Sequence, residues 1–136
     1  MKKIMIAFIS LFTALCVAGC AGSGNVDNVM TEPIQSKIYS QKDYEQAVNV
    51  ALSYFSRNFG DCTMTDIRYA GDDMEDSMKE WEKDYGMDQV IILTSDFKTG
   101  KHCDKSFDPD SNYTDWQWIL ARNKGGKWKH KDHGYG

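Results

Sequence analysis

Residues 115–135, DWQWILARNKGGKWKHKDHGY, predict a β-hairpin. In the first half, two sets of side chains alternate along the chain: Trp116, Trp118 and Leu120 in one set, Gln117, Ile119 and Ala121 in the other. A period of two is typical of a strand, because successive side chains point to opposite faces of a sheet. Residues 124–126, Lys-Gly-Gly, supply the turn, and Trp128 begins the return strand. The chain is therefore expected to end in an antiparallel pair of strands.

A long amphipathic helix is predicted upstream of this hairpin. Apolar residues recur there at spacings that place them on one face of a helix: Tyr44, Val48, Ala51, Leu52, Phe55 and Phe59. Ser40 is the expected N-cap, with Asp43 three residues later, and Gly60 is the expected stop. This apolar face is expected to pack against the sheet.

A strand and a second helix are predicted next. Residues 62–70 are rich in β-branched side chains and alternate, with Thr65, Ile67 and Tyr69 on one face. The second helix begins at residues 71–73, where acidic side chains suit the positive end of the helix dipole, and it ends at Gly86. One face of this helix carries four large side chains: Met74, Met78, Trp81 and Tyr85.

The remaining segment completes the predicted fold. Residues 88–97 contain the apolar run 90–93, which indicates a strand buried on both faces. The polar residues 98–114 are expected to form a long loop of the kind that is usually functional or mobile. The order helix, strand, helix, strand, strand, strand predicts an α+β fold with helices against a mainly antiparallel sheet. Residues 37–136 suit a single domain of this class.

The first 19 residues have the features of a secretory signal peptide. Lys2 and Lys3 precede the apolar stretch 4–17, which is shorter than the roughly 20 residues that a membrane-spanning helix needs. The junction 17–20, Val-Ala-Gly-Cys, resembles the lipobox of bacterial lipoproteins. In that family the cysteine receives a diacylglyceryl group and becomes the first residue, so Cys20 is expected to anchor the protein at the extracytoplasmic face of the cell membrane. The alternative is an ordinary secreted protein with an unmodified Cys20.

A flexible tether is predicted between this anchor and the domain. Residues 20–36 are rich in Gly, Ser and Asn and show no sustained period. Without residues 1–19 the chain has 14 basic and 20 acidic residues, a net charge of −6. Anionic lipid and nucleic acid both repel such a protein, so the acyl chains must hold it at the membrane and nucleic-acid binding is not expected.

The closing hairpin carries a resemblance to a known fold. Residues 116–136 resemble the last two strands of the nuclear-transport-factor-two-like, or cystatin-like, cone. More closely, residues 42–136 resemble a family of uncharacterised small lipoproteins of Gram-positive bacteria. That family shares this hairpin, the F-x-x-C-T-x-T segment found at 59–65, and a helix that ends in Tyr-Gly, here at 85–86. The resemblance implies a curved sheet wrapped on the long first helix, with a mouth that holds a ligand or a protein partner.

Two thiols remain in the predicted domain, Cys62 and Cys103, and outside the membrane they could pair. A disulfide is easy if the strands beside them run antiparallel, whereas parallel strands place the sulfurs at opposite ends of the sheet. A disulfide and two free thiols both stay open. A catalytic Cys103 with His102 as its base is disfavoured, because neighbours on a loop rarely form such a pair.

Two patterns resemble metal sites, and neither is expected to bind a metal. His130 and His133 lie three apart on a predicted strand, where their side chains point to opposite faces. Asp108, Asp110 and Asn112 match the start of a calcium loop, but the Gly and Glu that this loop needs later are missing. A turn held by Asp and Asn side chains explains the same residues. No metal or other cofactor is expected.

Large aromatic side chains are the main candidates for a ligand- or partner-binding surface. A cone would bring together those of the second helix and the hairpin: Trp81, Tyr85, Trp116, Trp118 and Trp128. The alternative is that most of them pack in the core, because a small domain needs large side chains to bury enough area. Trp116, at the strand entry beside the long loop, is expected to be more exposed than Trp118.

These features favour a non-enzymatic module that binds a small ligand or a protein at the membrane surface. The alternative is a small pocket enzyme of the ketosteroid-isomerase type, which is supported by fold analogy alone. Such an enzyme needs a carboxylate deep among the aromatic residues. Asp66, Asp96 and Asp115 are the candidates, because they lie on or beside strands.

Overall fold

The structure is a computed structural model, and it describes residues 23–135. Its elements follow in the order α1, Gln41–Asn58; β1, Cys62–Tyr69; a 3-10 turn, Asp72–Met74; α2, Glu75–Tyr85; β2, Gln89–Thr99; β3, Asn112–Arg122; and β4, Lys129–Gly134. The strands form one open sheet in the order β1-β2-β3-β4, each antiparallel to its neighbours. The predicted α+β class with an antiparallel sheet is confirmed. Among residues 23–135, no helix combines the length and apolar character needed to cross a membrane.

Helix α1 begins where its sequence predicts. The Ser40 hydroxyl accepts a hydrogen bond from the Asp43 peptide N–H at 3.1 Å, and the Asp43 carboxylate accepts one from the Ser40 peptide N–H at 3.0 Å. This reciprocal capping box satisfies two N–H groups that the first turn leaves without partners. The apolar stripe of the helix is buried: Tyr44, Ala47, Val48, Ala51, Leu52 and Phe55. Helix α1 contacts β1, β3 and β4, so this stripe and one face of the sheet together form the core.

The two helices cover opposite faces of the sheet. On β2, the buried Ser95 points to the α1 face, while Val90 and Ile92 point to the other face and are also buried. Helix α2 packs on β2, and its Tyr85 lies 5.2 Å from the Lys131 ammonium group on the side of β4 that faces away from α1. The first half of β2 is therefore covered on both sides, as the apolar run 90–93 predicts.

Bulges on β1, β3 and β4 interrupt the regular pairing and bend the sheet. The bulge on β1 explains an error in the sequence-based interpretation, which placed Thr65 on the same face as Ile67 and Tyr69. Because the bulge adds one residue to the strand, Met64 and Ile67 are the buried pair. The Thr65 hydroxyl instead donates to the Asp66 carboxylate at 3.1 Å, away from α1.

The predicted flexible tether is wrong for residues 23–36, which we call the strap. Asn25 and Met30 form parallel bridges to β1, and the strap covers the outer edge of that strand. Val26 and Val29 are 7% and 5% exposed and belong to the core. The ordered part of the chain therefore begins well before residue 37.

Contacts at both ends of the strap explain why its polar composition is misleading. At the start, the Gly24 peptide N–H donates to the Ser56 carbonyl at 3.0 Å, and a Cβ on Gly24 would lie 2.5 Å from the Phe55 carbonyl oxygen. Glycine is needed there for close approach to α1 rather than for flexibility. At the end, the Ser36 hydroxyl and the Lys37 peptide N–H both donate to the Asp72 carboxylate. Cys20 and the rest of residues 1–22 lie outside the described residues.

The long loop is shorter than predicted, because β2 continues to Thr99 and β3 begins at Asn112. Residues 100–111 join the two strands. The Thr99 hydroxyl donates to the Asp108 carbonyl at 2.6 Å and accepts from the Ser111 peptide N–H at 2.9 Å, which ties the loop back to the end of β2. At the hairpin, β4 begins at Lys129 rather than at the predicted Trp128.

Candidate functional site

The five candidate aromatic residues do not form one surface. Trp116 and Trp118 point from β3 to the α1 face, and Trp128 lies beside the start of α1. Trp81 and Tyr85 lie on α2, on the opposite side of the sheet, where their rings stack with centroids 5.3 Å apart. The predicted convergence is therefore wrong, because α2 packs on the outer face instead of joining α1.

Trp118 and Trp128 are core residues whose polar atoms are satisfied. Trp118 is 0% exposed, and its indole N–H donates to the Ser95 hydroxyl at 2.9 Å. Trp128 is also buried; its indole N–H donates to the Asp43 carbonyl at 3.1 Å, and the Arg122 guanidinium lies 4.2 Å from its ring centroid. Both arrangements satisfy a buried donor and leave it with nothing to offer a ligand.

Trp116 differs from both. It is 9% exposed, which confirms that it is more exposed than Trp118. Its indole nitrogen is buried and has no hydrogen-bond acceptor within the part of the chain that the structure describes. A buried donor without a partner costs about 1–3 kcal/mol, so its presence calls for an explanation.

The surroundings of Trp116, which we call the Trp116 cluster, are aromatic on every side. Six rings have centroids within 6.2 Å of the Trp116 ring: Phe59, Phe97, Phe107, Tyr113, His133 and Tyr135. They come from the residue that follows α1, from β2, the 100–111 loop, β3 and β4, and from the C-terminal segment. Tyr135 is 61% exposed and lies 5.2 Å from Trp116, so one wall of the cluster borders solvent.

A histidine pair adjoins the Trp116 cluster. The expectation that His130 and His133 point to opposite faces is wrong, because the bulge on β4 adds a residue between them. His130 Nε2 and His133 Nδ1 are 3.0 Å apart. Tyr54 stacks on His130 at 3.8 Å, and His133 stacks on Trp116 at 5.8 Å. Burial lowers the pKa of both imidazoles, and the neighbouring His133 lowers that of His130 further.

The three candidate carboxylates lie elsewhere. Arg68 binds Asp66, Asp96 and Asp115 at 2.5, 3.1 and 2.6 Å on the face that points away from α1. Burial and the adjacent Asp96 raise the pKa of Asp66. For Asp96, burial acts in the same direction, but the Asp115 peptide N–H and Arg68 outweigh it and lower its pKa. All of these groups are partly solvated, and they form a surface ion-pair network rather than a pocket among the aromatic rings.

The two thiols lie at the same end of the sheet, because β1 and β2 are antiparallel and Cys62 begins β1 while Cys103 follows β2. The Asp61 carbonyl accepts from the Gly100 peptide N–H, and its carboxylate accepts from the His102 peptide N–H, each at 2.7 Å. Cys62 and Cys103 are free in the structure, and burial, with a smaller effect of Cys103, raises the pKa of the Cys62 thiol to about 11. The antiparallel arrangement removes the geometric objection to a disulfide, so a disulfide and two free thiols both stay open.

The calcium-like segment forms a turn against β2. Asp110 adopts a left-handed backbone conformation with φ of 51°, and its peptide N–H donates to the Gly100 carbonyl at 3.2 Å. The Asp108 peptide N–H donates to the Tyr113 hydroxyl at 2.9 Å. Among residues 23–135, no three or more His, Cys, Asp or Glu side chains are grouped so as to hold a metal ion.

The chain was compared with family models, curated proteins and solved structures. No family model, no curated protein and no solved structure matches the chain. The site therefore has to be interpreted from its own geometry. Sequence reasoning identified Trp116 through its position at the strand entry beside the loop, but it missed the histidine pair, because the bulge on β4 has no signal in the residue pattern.

Proposed function

We propose that this protein is an extracytoplasmic lipoprotein, held at the cell membrane by a diacylglyceryl group on Cys20, whose domain binds a ligand without catalysing a reaction. The buried indole N–H of Trp116, which has no acceptor in the described chain, carries the binding part of this proposal. The arrangement Val-Ala-Gly-Cys at 17–20 after an apolar stretch carries the anchoring part.

The Trp116 cluster suggests what kind of ligand would fit. Among the described residues, the buried side-chain group that the cluster leaves unsatisfied is a donor, the Trp116 indole N–H. The ligand must therefore bring an acceptor such as a carbonyl or carboxylate oxygen. The other groups within reach are aromatic rings, which favour a planar or apolar body beside that acceptor. Tyr135 lies over Trp116 and is largely exposed, so its displacement would open the cluster with little loss of buried area. A small aromatic or apolar carboxylate meets these requirements.

The finer architecture belongs to the same proposal. We interpret the sheet as a cystatin-like cone that curves round α1, with the Trp116 cluster at its mouth, as in the resemblance to small lipoproteins of Gram-positive bacteria. The bulges on three strands and the contacts of α1 with β1, β3 and β4 support this interpretation. Helix α2 lies outside such a cone.

The alternative, a pocket enzyme of the ketosteroid-isomerase type, has less support. It requires a carboxylate among the aromatic rings, and the three candidates Asp66, Asp96 and Asp115 are bound by Arg68 on the opposite face. The pKa of Asp66 is raised and that of Asp96 is lowered, but partial solvation and the shared arginine explain this without catalysis.

Binding is tested with benzoate as the probe and toluene as a matched compound without an acceptor. Isothermal titration should show saturable benzoate binding that Trp116→Phe abolishes, because phenylalanine keeps a ring but removes the donor. Trp81→Phe on α2 is the control variant and should bind as the wild type does. Equal binding of benzoate and toluene, or full binding by Trp116→Phe, would contradict the proposed site.

Anchoring is tested separately by the membrane partition of the full chain in a bacterial host. Cys20→Ala should release the protein from the membrane fraction, because it removes the thiol to which the diacylglyceryl group is proposed to be attached. Cys103→Ala is the matched control and should stay membrane-bound. Unchanged retention of Cys20→Ala would contradict the anchor without affecting the binding proposal.

A further inference from the structure

We propose that the short connection between Cys20 and the strap holds one end of the domain against the lipid headgroups of the membrane, and that this is the end where the Trp116 cluster lies. The proposal rests on the proposed anchor at Cys20 and adds an orientation and a docking surface to it. The anchor end of the domain contains the start of β1, the end of β2, the start of β3 and the 100–111 loop. The far end contains the start of β2, the end of β3 and the turn 123–128.

The connection between the lipid and the fold is short because the strap is ordered from its beginning. Cys20 precedes Gly24 by four residues, which span at most about 14 Å. The Gly24 peptide N–H donates to the Ser56 carbonyl at 3.0 Å, at the end of α1. The Asn25 peptide N–H donates to the Cys62 carbonyl at 2.8 Å, at the start of β1. The point where the chain enters the fold therefore stays within about 14 Å of the lipid-modified residue.

This point of entry adjoins the Trp116 cluster. A Cβ on Gly24 would lie 2.8 Å from the Phe55 ring, so the strap begins against that side chain. The Phe55 and Phe59 rings stack with centroids 4.7 Å apart, and the Phe59 ring lies 6.2 Å from that of Trp116. The anchored chain is thus linked to the cluster through two adjacent phenylalanine rings.

The length of the sheet separates the two ends. Lys98 pairs with Asn112 at the anchor end, and Gln89 pairs with Arg122 at the far end. The ten residues from Asn112 to Arg122 span about 33 Å at roughly 3.3 Å per residue. A domain that stands on its anchor end therefore holds its far end well beyond the headgroups.

The charge of the anchor end suits a membrane surface. Residues 57–62 and 98–111 contain four basic and four acidic side chains, so this end carries no net charge. Most of the 100–111 loop is exposed, and Tyr135, which follows β4 at the same end, is 61% exposed. Tyrosine is favoured at the boundary between lipid and water, because its ring is apolar and its hydroxyl is polar.

The acidic part of the protein lies away from the anchor end. Residues 72–88 contain eight acidic and two basic side chains, a net charge of −6. Just before this segment, the Ala70 peptide N–H donates to the Ile92 carbonyl at 3.0 Å. At its end, the Asp88 carboxylate accepts from the Lys124 peptide N–H at 2.8 Å, in the turn at the far end.

This placement gives the standing orientation an electrostatic advantage. Ile92 lies seven residues before the end of β2 at Thr99, which corresponds to about 23 Å. The field of an anionic membrane falls off within about 8–10 Å at physiological salt. A domain on its anchor end therefore keeps α2 outside the range of repulsion, whereas a domain lying on its α2 face does not.

The test uses the lipid-modified full chain, labelled with nitrogen-15, in bilayer nanodiscs of phosphatidylcholine and phosphatidylglycerol. A gadolinium-chelating lipid in the same discs broadens the amide signals of residues close to the headgroups. The signals of residues 100–111 should lose most of their intensity, whereas those of α2 and of residues 123–128 should keep most of theirs. Equal losses at both ends, or a larger loss at residues 123–128, would overturn the proposal.

The matched control lengthens the connection without changing the anchor or the strap. An insertion of about 20 Gly and Ser residues between Gly22 and Ser23 has an r.m.s. reach of about 25 Å, so the difference between the two ends should shrink. An unchanged difference would mean that the short connection does not set the orientation, which would also overturn the proposal.

Flotation of the same protein with liposomes separates this proposal from the anchor on which it rests. A chain that fails to float contradicts the anchor at Cys20 and the docking together. A chain that floats but shows equal signal losses at both ends contradicts the docking alone.

Discussion

Trp118 and Trp116 lie two residues apart on the same face of β3, and they are used in opposite ways. Trp118, at the strand centre, is fully buried against Phe55 of α1 and Phe59 at its C-cap, and its indole N–H is bonded to Ser95. Trp116, at the strand entry, is buried almost as deeply, but its N–H has no acceptor in the described chain and its neighbours include the exposed Tyr135.

The difference separates stability from recognition. A satisfied donor in a packed core stabilises the fold, whereas an unsatisfied donor beside the surface lowers stability and is useful only when a ligand completes it. The centre of β3 therefore serves the fold, and its entry end serves the proposed binding function. The four predictions below test this division, from the largest expected effect to the smallest.

Trp118→Ala should have the largest effect. Removing a fully buried indole leaves a cavity between β3 and α1, and such truncations typically cost about 3–5 kcal/mol in the free energy of unfolding. A small domain has only about 5–15 kcal/mol in total, so we expect a large loss of urea resistance or failure to fold. Trp81→Ala on α2 is the control and should lose much less. A wild-type urea midpoint for Trp118→Ala would show that β3 does not pack on α1 as described.

Ser95→Ala should leave the indole N–H of Trp118 without an acceptor, as the indole N–H of Trp116 already is in the described chain. The variant removes the acceptor that the Trp118 indole N–H has within the described residues and leaves the ring in place, so we expect a loss of about 1–3 kcal/mol in the free energy of unfolding. Urea denaturation measures it, and Ser111→Ala on the loop is a control for the loss of a hydroxyl. If Ser95→Ala leaves the free energy of unfolding unchanged, an unsatisfied indole donor is not costly in this core. That result would contradict the claim that the unsatisfied N–H of Trp116 lowers stability.

Asp43→Asn tests the ion pair between the Asp43 carboxylate and Arg122, whose guanidinium lies over the third buried tryptophan, Trp128. The bond from the Trp128 indole N–H goes to the backbone carbonyl of Asp43, which the substitution keeps. Burial acts to raise the pKa of Asp43, but the Ser40 peptide N–H and Arg122 outweigh it and lower that pKa. A lowered pKa contributes stability that is present above the unfolded value, about 4, and is lost as the pH falls through the folded value. We expect Asp43→Asn to cost about 1 kcal/mol at pH 7, because it removes a negative charge from the first turn of α1 and from the pair with Arg122.

Thermal unfolding as a function of pH measures this contribution. The difference between the wild type and Asp43→Asn should shrink in acid, because protonation removes the same charge from the wild-type protein. A difference that stays constant down to pH 2 would contradict the ion pair between Asp43 and Arg122.

Trp116→Phe should have the smallest effect on stability. The substitution removes the unsatisfied donor and keeps most of the aromatic contact, so the lost packing and the relief of the buried N–H oppose each other. We expect the free energy of unfolding to stay within about 1 kcal/mol of the wild type by urea denaturation. A loss above about 2 kcal/mol would mean that the indole N–H is satisfied in the folded protein.

Much of this division is visible in the sequence. The apolar stripe from Tyr44 to Phe55, with Ser40 before it, specifies α1, because the spacing and the cap both act locally. Alternation along β3 also specifies that Trp116 and Trp118 share a face. Their order of burial follows from the position of each residue relative to the strand end.

The ordered strap, the histidine pair and the acceptors of the indole N–H groups depend on contacts between residues that are distant in the sequence. Gly24 and Asn25 look like parts of a flexible linker, since their partners on α1 and β1 are more than 30 residues away and leave no period in the strap. The bulge that brings His130 and His133 together also leaves no recognisable pattern in the sequence, because it depends on the pairing of β4 with β3. Whether an indole N–H finds an acceptor depends on tertiary packing alone.

The central claim, that Trp116 offers its N–H to a ligand, is tested most directly by the indole N–H signals of the nitrogen-15-labelled protein. Single Trp→Phe variants assign each of the four tryptophans. On titration with benzoate, the Trp116 signal should move downfield, because its proton enters a hydrogen bond to a carboxylate, while the Trp118 and Trp128 signals, already bonded to Ser95 and Asp43, should stay in place. A Trp116 signal that stays fixed through saturating benzoate would contradict the account.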